Sequence, residues 1–482
     1  MTKILLALRR KAISVNINWI LISLLSISCQ VVVGANNTIS KLTRSFILDC
    51  KPLKEETWDG LMDFIDSSSG FADVCPFTIS GPEACPPPPP PPLTSTTNDQ
   101  EGYIITSDTD LYLSCDPYQL SSDSKCIIDC PSLQRHFTVK TGGSLTIENF
   151  VLRQATNTSI WIEQGGRVSV FGSAFEDNHS NINNENNGGG GGGGAIVSGP
   201  NSFLEVRYTD FRNNRAGTGG AIFIHSDFSG EEGSSTARLV DCAFSNNVAS
   251  NAGGAVAVMS STGSASSKLI VNSCTFDTNE AENGGAIYMT DSLSSLTVSY
   301  SHFSKNLALN GGAIDYSNGS TDISDCTFTR NYAFNWGGAI NAGVGGSATI
   351  RRNIFSGNGA QNNGPAVNDR DRSEIVVRDN SGCGNEVDQG RQCDGVLIWL
   401  SPRRLLCRSF AYECTLSPTP QPSSSPSESP SESPSSLPSE SPSRSFFPSS
   451  APTNSPSASI APSISPSESP SRSYLPSSAP TN

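Results

Sequence analysis

The sequence lacks a helical period. From about Tyr103 onward no useful stretch repeats its apolar residues at spacings of three and four, which argues against a helix-based fold. It also lacks positive charge: the net charge of −14 repels nucleic acid and leaves no basic stripe to hold phosphates. After the first 35 residues it has no apolar run able to span a bilayer, because VLIWLSPRRLLC is broken by Pro402, Arg403 and Arg404. Cys126 and Cys130 have a suggestive spacing but no matching second pair, so no zinc site is expected. The glycine run Gly188 to Gly194 is not followed by Lys-Ser/Thr and is no phosphate loop. No metal and no cofactor is expected.

What is present begins with an export pattern. Lys3, Arg9, Arg10 and Lys11 precede an apolar run around WILISLLSIS and the small residues ending Val33, Gly34 and Ala35. Residues 1–35 read as a signal peptide. The rival, an uncleaved anchor, has an apolar core shorter than the ~20 residues a spanning helix needs. Cysteine usage agrees with export. Beyond Cys29 there are thirteen: six near the start, Cys242, Cys274 and Cys326 in the middle, and four from Cys383 to Cys414. Disulfides are expected in the first and last groups. Asn36, Asn157, Asn178 and Asn318 head Asn-x-Ser/Thr triplets, candidate glycosylation sites in a secreted chain.

Composition divides the rest. Residues 36–102 form a cysteine-bearing lead that ends in a proline run from Pro86 to Pro92, a stiff spacer. From Tyr103 to 382 strand-like segments such as LYLSC and SLTIENFVL alternate with Gly and Asn clusters. Residues 383–416 hold four cysteines and an apolar VLIWL, suited to capping an open end. Residues 417–482 collapse to Ser and Pro, with SESPSRSFFPSSAPTN returning as SESPSRSYLPSSAPTN; such a tail is expected to be disordered.

The middle region repeats one phrase. Phe175, Phe211, Phe244, Phe276, Phe303, Phe328 and Phe355 are each followed three residues on by Asn: Asn178, Asn214, Asn247, Asn279, Asn306, Asn331 and Asn358. Gly-Ala-Ile or Gly-Gly-Ala with Ile or Val follows each, except that Pro365 replaces the second glycine of the last copy. In six copies eight or nine residues separate Phe from the first glycine, while Ala to the next Phe varies from fifteen to twenty-three. One part of the unit is fixed and the other tolerates insertion. A unit of about twenty-seven residues cannot bury a core alone, so successive units must stack and share one.

Stacking at the ~4.8 Å strand spacing predicts a ladder of Phe rings inside and a ladder of Asn amides at a turn. Cys242, Cys274 and Cys326 share a column two residues before Phe, where other units carry Ser173, Thr209, Ser301 and Asn353. Their parity with Phe predicts burial. Adjacent-coil Cys242 and Cys274 lie within disulfide range, but small buried fillers are the preferred reading.

The FxxN and GGA[I/V] pair resembles the repeats of bacterial polymorphic outer membrane proteins, which are surface adhesins. The region 103–380 resembles the right-handed parallel β-helix of the pectin-lyase-like superfamily, and the tail resembles Ser/Pro-rich wall proteins of unicellular algae. The resemblance implies an all-β fold: a right-handed parallel β-helix solenoid with a disordered Ser/Pro-rich C-terminal tail. Those bacterial adhesins end in a membrane barrel, which is not expected here.

Many proteins of that superfamily are polysaccharide lyases, hydrolases or epimerases, with acids, Arg or His on outward strand positions. The histidines here, His136, His179, His225 and His302, fall in different columns. Asp315 with Asp369 and Asp371 is the nearest approach to a catalytic pair, and without a partner between the coils solvated charge is the better account. The acids are too sparse for calcium. An outward column of Phe223, Tyr288, Asp315, Asn341 and Asn368 offers aromatic faces beside amides, which suits sugar rings. The loops at 225–236, 259–268 and 179–194 are the other candidate surface. The expected function is a secreted, wall-associated or adhesive scaffold without catalysis, binding an extracellular polysaccharide or matrix protein; the alternative is a polysaccharide-active enzyme.

Overall fold

The structure, a computed structural model, describes residues 51–408 apart from 69, 82, 86–101, 116–124, 181–191, 229–230, 261–265, 291–292, 344, 370–373, 388–390, 394–395 and 401–403. The leader, the Asn36 triplet, the proline run, Asp371 and the Ser/Pro tail lie outside the described residues.

Three long sheets form the body. The first runs from Phe71–Val74 to Glu374–Arg378 in eleven strands, and the second from Thr78–Ser80 to Ser381–Cys383 in eleven. The third runs from Tyr103–Ile105 to Arg404–Arg408 in twelve. The chain visits the sheets in turn, and each strand pairs in parallel with its equivalent one coil away, as Phe211 with Phe244 and Phe244 with Phe276. This is a parallel β-helix-like solenoid. It extends beyond 103–382 on both sides, because the lead supplies the first strands of two sheets and Val396–Leu400 stacks on the third. The parallel stack then ends in antiparallel pairs, Asn385–Val387 with Arg391–Cys393 and Val396–Leu400 with Arg404–Arg408.

The first coil also uses a helix, Trp58–Asp66, in the cysteine-bearing lead. Thr57 caps it by accepting a hydrogen bond from the Gly60 amide at 3.0 Å, and Trp58, Leu61 and Ile65 are buried in the shared core.

The repeated residues build the interior as expected. Seven phenylalanine rings from Phe175 to Phe355 stack at 4.7–5.0 Å between centroids, tilted by no more than 8°. Beside them the asparagines form a closed circuit. The Asn279 Oδ1 accepts from the backbone amide and Nδ2 of Asn247, both at 3.0 Å. Its Nδ2 donates to Asn306 Oδ1 and to the Phe244 carbonyl, again at 3.0 Å. Each fully buried amide therefore satisfies its neighbour's amide and a carbonyl one coil back. The ladder has an eighth member, Asn385, which donates to the Phe355 carbonyl although Gly382 stands where its coil should have Phe.

The two glycines do different work. The first is left-handed, with φ of 61–70° from Gly219 to Gly364, a region that favours glycine. The second leaves no room for a side chain: a Cβ on Gly285 would lie 2.2 Å from the Gly312 carbonyl oxygen. Its amide donates to the next coil's first glycine, as Gly285 does to Gly311. Pro365 has no amide hydrogen to give, and the following coil has no glycine pair to receive one. The spacings of eight and nine also resolve. Where the longer unit stacks on the shorter, at Ala216/Thr218 and Ala308/Asn310, the register shifts at a bulge that absorbs the extra residue.

The cysteine column is a hydrogen-bonding corner. At this position Ser173 Oγ accepts from the Phe150 amide, Ser301 Oγ from Cys274, and Asn353 Oδ1 from Cys326. Ser, Thr, Asn and Cys share the ability to accept there, and Cys242, Cys274 and Cys326 are free, buried thiols. Disulfides join Cys85 to Cys130 and Cys115 to Cys126, which also accounts for the Cys126 and Cys130 pair without a metal.

Candidate functional site

The third sheet carries the outward column expected to bind sugar. Strand alternation places Ile222, Ile287, Ile314, Ile340 and Val367 inward, so Phe223, Tyr288, Asp315, Asn341 and Asn368 face outward in one register. The column is outward but not open. Phe223 and Asp315 are each 5 % exposed and Asn341 and Asn368 2 %, leaving Tyr288 half-buried.

Two local causes close it. Phe223 packs with Val197 and Ala257 in an outer apolar cluster bordered by Trp161, Met259 and Tyr288, and its ring lies against Gly192, where a Cβ would meet it at 2.0 Å. Farther along, Asn368 Nδ2 donates to Asn341 Oδ1 at 2.7 Å, and Asn341 Nδ2 to Asp315 Oδ1 at 2.9 Å. This outer ladder engages the amides of the column with one another and with Asp315. Burial, reinforced by the Asp315 carboxylate, raises the Tyr288 phenol above its ordinary value.

Asp315 and Asp369 do not converge. Asp369 pairs in register with Ala342, and Ala342 with the buried Tyr316, so Asp369 lies at an inward position while Asp315 lies at an outward one two coils away. Two carboxylates on opposite faces of one sheet cannot flank a glycosidic bond. Burial first, then Asp369 and Asp315, push the Tyr316 phenol well above the usual tyrosine range. Among the described residues no group of three His, Cys, Asp or Glu side chains is placed to hold a metal ion, and no helix is long and apolar enough to cross a membrane.

The candidate glycosylation residues separate as well. Asn178 begins the inner ladder: it is fully buried, and its Nδ2 donates to Leu152 O and Asn214 Oδ1, so a glycan there would break the ladder. Asn157 and Asn318 are half-buried in turns.

Sequence reasoning missed the open aromatic positions. From Ser144–Glu148 onward a left-handed corner residue follows each strand of the first sheet, three places before the core position that the ladder Phe occupies. In two coils that residue is tyrosine, Tyr208 at 64 % exposure and Tyr300 at 66 %. Counting back three from Phe211 and Phe303 would have found them. Compared with protein-family models, curated proteins and solved structures, the chain matches none; its geometry shows a fold, that of a parallel β-helix-like solenoid.

Proposed function

We propose that the chain is an exported, non-catalytic scaffold at a cell surface or wall, holding an extracellular polysaccharide or matrix protein. The resemblance to the pectin-lyase-like helix and to adhesin repeats belongs to this reading, as do the signal peptide and the Ser/Pro stalk. The observation that carries it is the use to which the repeat is put. Phe, Asn and both glycines of every regular unit are spent on stacking, turning and satisfying one another inside the coil. What the unit leaves outside is a long, regular surface. The disulfides of the first coils suit an oxidising compartment.

The test is to incubate the full chain with a panel of wall polysaccharides, recover bound and unbound sugar, and determine chain length and unsaturation by mass spectrometry. Intact sugar retained on the protein is the expected result. Shortened, unsaturated or epimerised chains would replace the scaffold with an enzyme. Intact sugar with no retention would direct the search to protein partners.

A further inference from the structure

The corner between the first and second sheets forms a straight row along the solenoid. Each corner amide donates to the last carbonyl of the next coil's strand, Tyr208 to Val240 at 3.1 Å and Tyr300 to Ser324 at 3.3 Å. From coil to coil the row reads Tyr208, Asp241, Ser273, Tyr300, Asp325 and Arg352, all left-handed with φ of 51–57°. A tyrosine followed by an aspartate occurs twice, three coils apart, a repeat of about 14 Å at the strand spacing.

Nothing in the fold asks for tyrosine at these corners. Left-handed backbone is unfavourable for a bulky residue by about 1–2 kcal/mol, and other coils meet the same turn with Asn149 or Gly172. Rings that are 64 % and 66 % exposed return little of that cost through burial. The neighbouring acids are poised for hydroxyls. Asp241 is exposed, and Asp325 is held by Arg352 through Nε at 2.7 Å and a terminal nitrogen at 2.6 Å. Ser273 leaves a low floor between the two pairs.

We propose that this corner row is a binding site for one extended neutral polysaccharide chain lying along the solenoid axis. The inference rests on the carbohydrate reading of the scaffold. Tyr208 and Tyr300 stack on the apolar faces of sugar rings, and Asp241 and Asp325 accept from hydroxyls beside them. With Asp325 paired to Arg352, the row keeps one carboxylate in excess, Asp241, and offers no unpaired cation to draw uronic or sulfated chains.

Co-sedimentation of the full chain with insoluble β-glucan, chitin and calcium-crosslinked polygalacturonate tests this, using Tyr208→Asn, Tyr300→Asn and the double variant. Asparagine already occupies the same corner at Asn149, so the coils keep their turn, and an unchanged circular dichroism spectrum checks it. The wild type is expected on β-glucan or chitin. Each single substitution should weaken retention about three- to tenfold and the pair by roughly the product. A double variant that binds as tightly as the wild type would overturn the site while leaving the carbohydrate reading intact, and so would preference for polygalacturonate. A wild type retained by none of the three would overturn the carbohydrate reading, and this site with it.

Discussion

The first coils and the later ones solve the same problem by different means. In coils from Phe175 onward, register is written into identical residues, and an error of one position would break the Phe stack, the Asn circuit and the glycine turn together. Toward the start the same core column holds Ile79, Ile128 and Leu152, which pack but do not enforce a single register through matched rings. There the chain adds covalent and capping devices, among them the disulfides Cys85–Cys130 and Cys115–Cys126 and the helix Trp58–Asp66. Repetition makes cross-linking unnecessary, and its loss calls for staples.

The largest break in that contrast is Gly285→Ala. The new methyl would lie 2.2 Å from Gly312 O and 2.7 Å from Leu307 O, both backbone atoms that cannot turn aside. A loss of about 4 kcal/mol or more is expected, read as a collapsed urea midpoint. Gly357→Asn is the contrasting control: Gly357 is left-handed, as Gly285 is not, but it has only Arg330 Cγ nearby, at 3.5 Å, and the substitution should fold. If Gly285→Ala unfolds no more easily than the control, close glycine stacking is not what fixes these coils.

Reducing the disulfides acts on the other region. Cys85–Cys130 and Cys115–Cys126 span 45 and 11 residues, and each is expected to contribute about 2–4 kcal/mol. Hydrogen exchange after mild reduction should show protection falling in residues 71–139 while the ladder asparagines from Asn214 to Asn358 keep theirs. Equal loss along the whole solenoid would mean that the two regions are one cooperative unit.

The repeat was the most legible part of the sequence, because Phe, Asn and Gly-Gly each face a demand that few residues meet. Stacked rings, a self-satisfying amide and a turn without a Cβ all leave a periodic trace. The first coil was less legible: its strands at 71–74 and 78–80 are separated from the third by a proline-rich insertion, and they lack the marker residues. The outward column was placed correctly by alternation yet misjudged in exposure. Alternation reports which face a side chain leaves from, whereas its cover comes from neighbouring turns such as the one at Gly192, which only coordinates reveal. The cysteine column was read for size when its shared property is hydrogen-bond acceptance.

The smallest effect separates the regions by acid. His136 lies in the second coil, fully buried, with Nδ1 2.7 Å from the Ser159 hydroxyl. Burial disfavours the imidazolium and lowers its pKa from 6.5 to about 3, against a weaker opposing hydrogen bond with the Arg153 backbone. The folded ring therefore stays neutral where the unfolded ring takes up a proton. Above pH 6.5 this group leaves stability unchanged; between 6.5 and about 3 the fold loses stability as pH falls, by about 1.4 kcal/mol per unit. Carboxylates titrate over the lower part of that window, so the comparison is drawn between pH 6.5 and 5.5 and against His136→Gln. The variant should lose about 1 kcal/mol less than the wild type over that step, and hydrogen exchange should place the difference in the first coils rather than the ladder. Identical pH profiles for the two proteins would mean that His136 becomes protonated within the fold as readily as in the unfolded chain.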